Sequence, residues 1–283
     1  MMDFRTDNPL FLRNLQLYPL LTDKPIEYRL HAIDTLLDEK KIQIEELDTP
    51  VIDKVDLNNL GDQPLLIIDG EEIAGAMQNR IVSASTFIPA KTRKTLSVVC
   101  VEEGRWQSIG RFTTGFCSYP RLRSILLTKR PVNELQQDIW NEITQKIVST
   151  RINSVTSSMH DIYKGLDDEL NRYLEDFSTL NDKAIGFIGV AGNRILGCDL
   201  FANNSIFRQF ERKLIRGYAM EACELTKKEL KNPDIINFVK SISAAIEEER
   251  SGKNTRIHFA KRNLAGQAVF DKKVLLHLSA FPS

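Results

Sequence analysis

Two short stretches hold the residue types that do chemistry. The first, Asp69-Gly70-Glu71-Glu72-Ile73-Ala74-Gly75-Ala76-Met77-Gln78-Asn79-Arg80, follows the apolar run Pro64 to Ile68. Gln78, Asn79 and Arg80 set amide and guanidinium donors side by side, and Glu72 supplies a carboxylate for acid–base work. In a strand, consecutive side chains alternate faces, so these three donors cannot all enter one site. Gly70 and Gly75 let the backbone bend or approach a ligand closely. The bland alternative is a polar turn with surface charges. The second stretch, Cys100-Val101-Glu102-Glu103-Gly104-Arg105-Trp106, closes the apolar run Leu96 to Val101. Arg105 and Trp106 together suit an anionic, planar ligand, the guanidinium for phosphate and the indole for stacking. Glu102 is the second candidate acid or base. Cys100 has no histidine near it in sequence and reads as a small buried hydrophobe rather than a nucleophile.

Other features point less sharply. The four histidines, His31, His160, His258 and His277, are far apart in the chain, and each reads as a surface or packed imidazole. No P-loop, dinucleotide fingerprint, H-E-x-x-H or G-x-S-x-G pattern occurs, and no spacing specifies a metal or a cofactor. Residues 80–130 hold 10 Lys/Arg against Glu102 and Glu103, with Trp106, Phe112, Phe116 and Tyr119 interleaved, whereas residues 1–60 hold 7 Lys/Arg and 12 Asp/Glu. A basic stretch with aromatics can bind nucleotides or single-stranded RNA. It can equally pair with the acidic N-terminal part inside one fold. Arg208, Arg212 and Arg216 form a basic stripe at i+4 spacing that reads as solvated helix surface.

The elements that must position these groups follow from periodicity. The first 110 or so residues read as mainly β with one helix over 28–40. Strands fall at 42–44, 51–55 and 64–68, and as an adjacent pair at 80–88 and 94–101. Helices are expected over 133–150 and 161–177. Residues 184–191 and 194–201 read as a hairpin around Gly192-Asn193. Phe207, Phe210, Leu214, Tyr218 and Ala222 mark one face of a long helix capped by Asn204 or Ser205. Pro233 opens a helix to about 249, and three strands follow at 255–260, 264–270 and 273–280. The class is α+β, with a β-rich, sandwich-like N-terminal half, then helices and a second, smaller sheet. We read one domain of two lobes: 1–130, β-rich, and 131–283, helical with a small sheet.

Composition sets the outer bounds. The chain has 283 residues, with Lys+Arg and Asp+Glu both 38, so it is neither globally basic nor acidic. The four cysteines, at 100, 117, 198 and 223, form no C-x-x-C pair. No run approaches the roughly 18 apolar residues of a membrane span, and the N-terminus lacks a signal core, so the expected location is cytoplasmic.

The two stretches carry a resemblance. The segments Gly70 to Arg80 and Cys100 to Trp106, then Gln137-Asp138-Ile139-Trp140, Ser157-Ser158-Met159, Gly197-Cys198-Asp199-Leu200-Phe201 and Leu214 to Ala222, occur in the order of a known family. The chain resembles the ARG and Rhodanese-Phosphatase-superfamily-associated protein domain family over most of residues 50–225. The resemblance implies association with ADP-ribosylglycohydrolases and with rhodanese- or phosphatase-fold proteins, and so a place in the metabolism of NAD-derived molecules. It brings no established catalytic residue. Three functions follow as expectations: binding or processing of an ADP-ribose-type nucleotide through Glu72, Glu102, Gln78, Asn79, Arg80, Arg105 and Trp106; a non-catalytic module docking onto a partner enzyme; and RNA binding through residues 80–130.

Overall fold

The computed structural model describes residues 4–128, 131–225, 233–250, 255–261 and 263–283. Two compact units interleave along the chain. The first takes Met1–Tyr28, Tyr119–Thr128 and Glu169–Ser283, and the second Arg29–Ser118 and Lys129–Asp168. No single cut therefore separates them.

In chain order, β1 (Arg5–Thr6), β2 (Leu10–Leu12) and β3 (Leu15–Leu21) open the first unit. The second unit runs through β4 (His31–Ala32), α1 (Ile33–Asp38), β5 (Ile42–Glu45), β6 (Lys54–Asn59), β7 (Leu65–Ile67), β8 (Glu71–Ala74), β9 (Arg80–Val82), β10 (Thr86–Ile88), β11 (Arg93–Cys100) and β12 (Thr113–Cys117). Helix α2 (Pro120–Leu126) belongs to the first unit, α3 (Val132–Thr150) and α4 (Met159–Gly165) to the second, and α5 (Asp167–Leu174) begins where the second ends. The first unit finishes with β13 (Ala184–Ala191), β14 (Arg194–Phe201), α6 (Asn204–Ala222), α7 (Ile235–Glu249), β15 (Arg256–Lys261), β16 (Leu264–Asp271) and β17 (Val274–Phe281). The class is α+β, as the patterning implies, with a strand-rich N-terminal half.

The first unit is built on an antiparallel sheet of eight strands, ordered β1-β3-β13-β14-β17-β16-β15 with β2 on β3. The C-terminal strands were expected to form a smaller sheet. They build the largest one, because β3 pairs with β13 and brings β1 and β2 with it. Both faces are covered, so β13 is buried at every position. Phe187 packs against Phe207 and Tyr218 of α6 on one face. Ile188, Val190, Cys198 and Leu200 join Ile242 and Ala245 of α7 on the other. The hairpin at Gly192-Asn193 forms as expected, with φ values of 57° and 63°, the left-handed pair that a type I′ turn requires. Helix α6 is capped one residue earlier than expected: Asn203 Oδ1 accepts from the Ile206 amide at 3.0 Å.

A polar hub sits inside this unit. Asp199 on β14 accepts two bonds from Arg123 of α2, at 2.7 and 2.9 Å, and one from the Tyr218 hydroxyl at 2.9 Å. His277 Nε2 of β17 lies 3.2 Å from it. Arg123, Asp199 and His277 are each 0% exposed, and the Arg123 guanidinium also lies over the Phe281 ring. Burial alone would raise the Asp199 carboxyl. The Arg123 charge and the hydrogen bonds from His277 and Arg123 outweigh it and hold Asp199 well below the usual carboxylate range.

The second unit holds a six-stranded sheet, β12-β8-β9-β11-β6-β5, and a three-stranded one, β10-β7-β4. Ile33, Leu36, Leu57, Ile67, Ile73, Val82, Leu96 and Phe112 share its core. Strand β11 neighbours β9 as expected, whereas β10 pairs with β7. Glu71–Ala74, for which a polar turn is the bland alternative, is a buried strand, since each carboxylate finds an internal donor. The helix expected over 161–177 is two helices, α4 and α5, broken at Leu166.

Candidate functional site

The site grows from β8 of the second unit. Glu72 points inward there and its side chain is 0% exposed. Space for its carboxylate comes from Gly115 on β12: a Cβ at that position would overlap Glu72 Oε2. The β8–β12 register slips between Thr114 and Cys117, and the slip turns the Phe116 amide onto Glu72 Oε2 at 3.2 Å. The same oxygen lies 2.8 Å from His160 Nδ1. Glu72 Oε1 is buried with no hydrogen-bond partner.

His160 sits in the first turn of α4, whose N-cap is Ser158: the His160 amide donates to Ser158 Oγ at 3.2 Å. The Phe116 ring, stacked on Tyr163 at 4.6 Å, flanks the imidazole at 5.1 Å. Facing a carboxylate, Nδ1 carries the proton. In neutral imidazole that leaves the lone pair on Nε2. The His160 side chain is 21% exposed, so a molecule from solvent can reach the ring. A buried carboxylate that fixes the tautomer of a reachable imidazole is the arrangement of a general base. Sequence reading takes Glu72 as a candidate and misses His160. No spacing links them, although Ser157-Ser158-Met159 lies next to the histidine.

The structure gathers Gln78, Asn79, Glu102 and Arg105 into a neighbouring network. Glu102 Oε2 accepts from the Asn79 amide at 3.1 Å and from Arg105 Nη2 at 2.6 Å, and Oε1 accepts from Thr156 Oγ1 at 2.9 Å. Burial pushes this carboxyl up. The hydrogen bonds from Arg105, Asn79 and Thr156, with the Arg105 charge, outweigh burial and hold it below its ordinary value. Arg105 also donates to Ala76 O at 2.6 Å and Gln107 O at 2.8 Å. Gln78 Nε2 donates to Glu102 O at 2.9 Å, and Asn79 Oδ1 accepts from the Gly75 amide at 2.8 Å. Asn79 Nδ2 reaches Ser158 Oγ at 3.4 Å, which ties this network to the cap of α4. Arg105 thus clamps one loop to another with both terminal nitrogens.

Arg80 turns the opposite way, as alternation requires. It is 0% exposed, donates to Glu46 Oε1 at 2.8 Å, and lies over the rings of Trp106 and Phe112 at 5.8 and 5.7 Å. Trp106 itself is 49% exposed. The Cys100 thiol donates to Glu102 O, and burial pushes it up to about 11, out of nucleophile range. Acidic and basic segments do meet inside this unit, Arg80 pairing with Glu46 and Arg93 with Asp56, while Lys91 pairs with Asp62 just beyond the acidic stretch. The Arg stripe of α6 is likewise engaged, Arg208 with Glu211 and Arg212 with Phe177 O. Among the described residues no group of three His, Cys, Asp or Glu side chains is placed to hold a metal, and no helix is long and apolar enough to cross a membrane.

Gly115→Ala tests the site locally. The added methyl has no room beside Glu72, so the carboxylate must leave His160 or the strands must part. Overpacking of this kind costs about 1–3 kcal/mol. Thermal unfolding should show a lowered midpoint, and the imidazole nitrogen shifts of His160 should move; a variant with both unchanged would refute the packing of Glu72 against Gly115.

Fold and site together define an α+β protein of two interleaved units, one of which carries a carboxylate–histidine pair. The chain belongs to the ARPP-1 family, the ARG and Rhodanese-Phosphatase-superfamily-associated Protein domain, which it matches over residues 3–281. The family's name records association with other proteins. No curated protein and no solved structure matches the chain.

Proposed function

We propose that the second unit binds a small polar ligand of the ADP-ribose type and acts on it with His160 as the acid–base group. The observation that carries this is the 2.8 Å contact between a fully buried Glu72 and a partly exposed His160. With the proton fixed on Nδ1, Nε2 takes a proton from a ribose hydroxyl or a water, and Glu72 stabilises the imidazolium that forms. Glu102 and Arg105 hold Asn79 and the 75–79 loop in place, and Trp106, with Arg80 under its ring, presents an aromatic face for stacking. The ligand class rests on the family's name, read as an association with ADP-ribosylglycohydrolases.

The test is calorimetric titration of the protein with ADP-ribose and NAD, repeated on His160→Ala, with chromatographic analysis of incubated samples. Binding by the native protein and loss of product formation in the variant are expected. No heat and no product with either nucleotide would end the nucleotide reading.

A second reading is a docking module for a partner enzyme. Its observation is the loop of Trp106 and Ile109, 49% and 67% exposed, pinned by amide bonds from Gln107 to Met77 O and from Ile109 to Ala76 O. A rigid loop with two exposed apolar side chains is suited to insertion into a partner. Co-elution with a neighbouring enzyme, abolished by Trp106→Ala, would favour it. The RNA reading has the least support, because Arg80, Lys91, Arg93 and Arg105 are paired internally.

A further inference from the structure

One helix is too narrow for the sheet it covers. A helix with its side chains is about 10 Å across and strands lie about 4.8 Å apart, so α7 spans roughly two of them. It packs on β15 and β16. On the same face Leu278 of β17, Leu200 of β14 and Ile185 of β13, all buried, line the space beside it. Phe4 and Ile26 close the far side. Between them and Ile246 of α7 lies a cavity of about 480 Å³. That is the size of a small-molecule site, and its floor is apolar.

The mouth has a charge. Lys24, Arg250 and Lys273 border it and are exposed, against one acid, Glu247. The Arg250 guanidinium is placed at the opening by the Phe270 ring, 5.7 Å below it. An apolar chamber under three cations and one anion complements a molecule with a hydrocarbon tail and an anionic head. We propose that this cavity binds a free medium-chain carboxylic acid, its tail on the sheet and its carboxylate at Lys24, Arg250 and Lys273. The site belongs to the first unit and is independent of the Glu72–His160 reading.

The test uses dodecanoate, decanoate and dodecanol in calorimetric titrations, with anionic phosphatidylglycerol vesicles in a sedimentation arm. Each buried methylene contributes about 0.8 kcal/mol, so dodecanoate should bind roughly tenfold tighter than decanoate. Dodecanol should bind at least tenfold more weakly than dodecanoate. The double variant Arg250→Glu/Lys273→Glu should narrow that gap. Ser243→Trp, which places a large ring at the half-buried α7 position lining the cavity, should remove binding without touching the buried core. Absence of dodecanoate binding, equal affinity for the alcohol, or indifference to Ser243→Trp would each overturn the proposal. Sedimentation with vesicles in place of free-acid binding would overturn it in favour of a membrane surface.

Discussion

Asp199→Asn is expected to be among the most destabilising single changes in the first unit. The asparagine keeps the shape of the aspartate but not its charge, and its amide hydrogens face groups that already donate. Arg123, fully buried, then loses its carboxylate partner, and because Tyr218 uses Oδ2 and His277 faces Oδ1, only one of these two keeps an oxygen to face. Breaking one side of a buried ion pair costs about 3–5 kcal/mol. For a unit of this size that lowers the thermal midpoint by at least about 6 °C. Removing the cation as well, in Arg123→Met/Asp199→Asn, should restore part of the loss. A single variant within about 1 kcal/mol of the native protein would refute the hub's role. The pH dependence has a definite sign. Because the folded Asp199 carboxyl titrates below its unfolded value of about 3.9, its contribution is complete above that pH and is lost as the pH falls from there toward the folded pKa. The native protein should therefore lose stability in that acid window, and Asp199→Asn should lack this share of the slope.

Glu72→Gln should abolish the acid–base capacity of His160 while leaving the unit folded. The carbonyl oxygen of a glutamine must stay on the Phe116 N–H and so still accepts from Nδ1, but the negative charge that stabilises the imidazolium is gone. Loss of a positioned general base lowers turnover by about 10²- to 10⁴-fold. His160→Ala should do the same, and the double variant should be no worse than either, since the two residues act as one device. The tautomer can be read without knowing the substrate. Imidazole nitrogen spectra should place the proton of the neutral ring on Nδ1 in the native protein and in the glutamine variant alike. A native ring with its proton on Nε2 would dispose of the mechanism, whatever the ligand.

Local patterns were the legible part. The face Phe207, Phe210, Leu214, Tyr218 and Ala222 repeats within α6 itself, and Gly192-Asn193 states its turn in two residues. The class and most strands follow from the same arithmetic. What escaped depends on contacts distant in sequence. His160 meets Glu72 across 88 residues, and His277 meets Asp199 across 78, so neither histidine carries a local sign of its partner. Glu71-Glu72 reads as a turn because two adjacent carboxylates belong at the surface by default. The Ile68 and Phe116 amides and the His160 ring, supplied by the folded chain, help make a buried strand of them. Arg105 and Trp106 were legible as a pair worth attention, but the acceptors that engage Arg105 come from the 75–79 loop and Glu102.

The interleaving of the two units sets an order of manufacture. The second unit has all its residues once Asp168 has been synthesised, so it can fold while the rest of the chain is still being added. Strand β3 cannot. Its partner β13, with Leu17 opposite Gly189, is made only after the whole second unit, and β17, which lies between β14 and β16, comes nearly last. Until then β3 has β1 and β2 for one edge and no partner for the other, the kind of apolar segment that chaperones bind and that aggregates when left waiting. During its birth the protein is thus a finished unit flanked by an unfinished one. Slowing translation beyond Asp168 would lengthen the interval in which that first strand stands exposed.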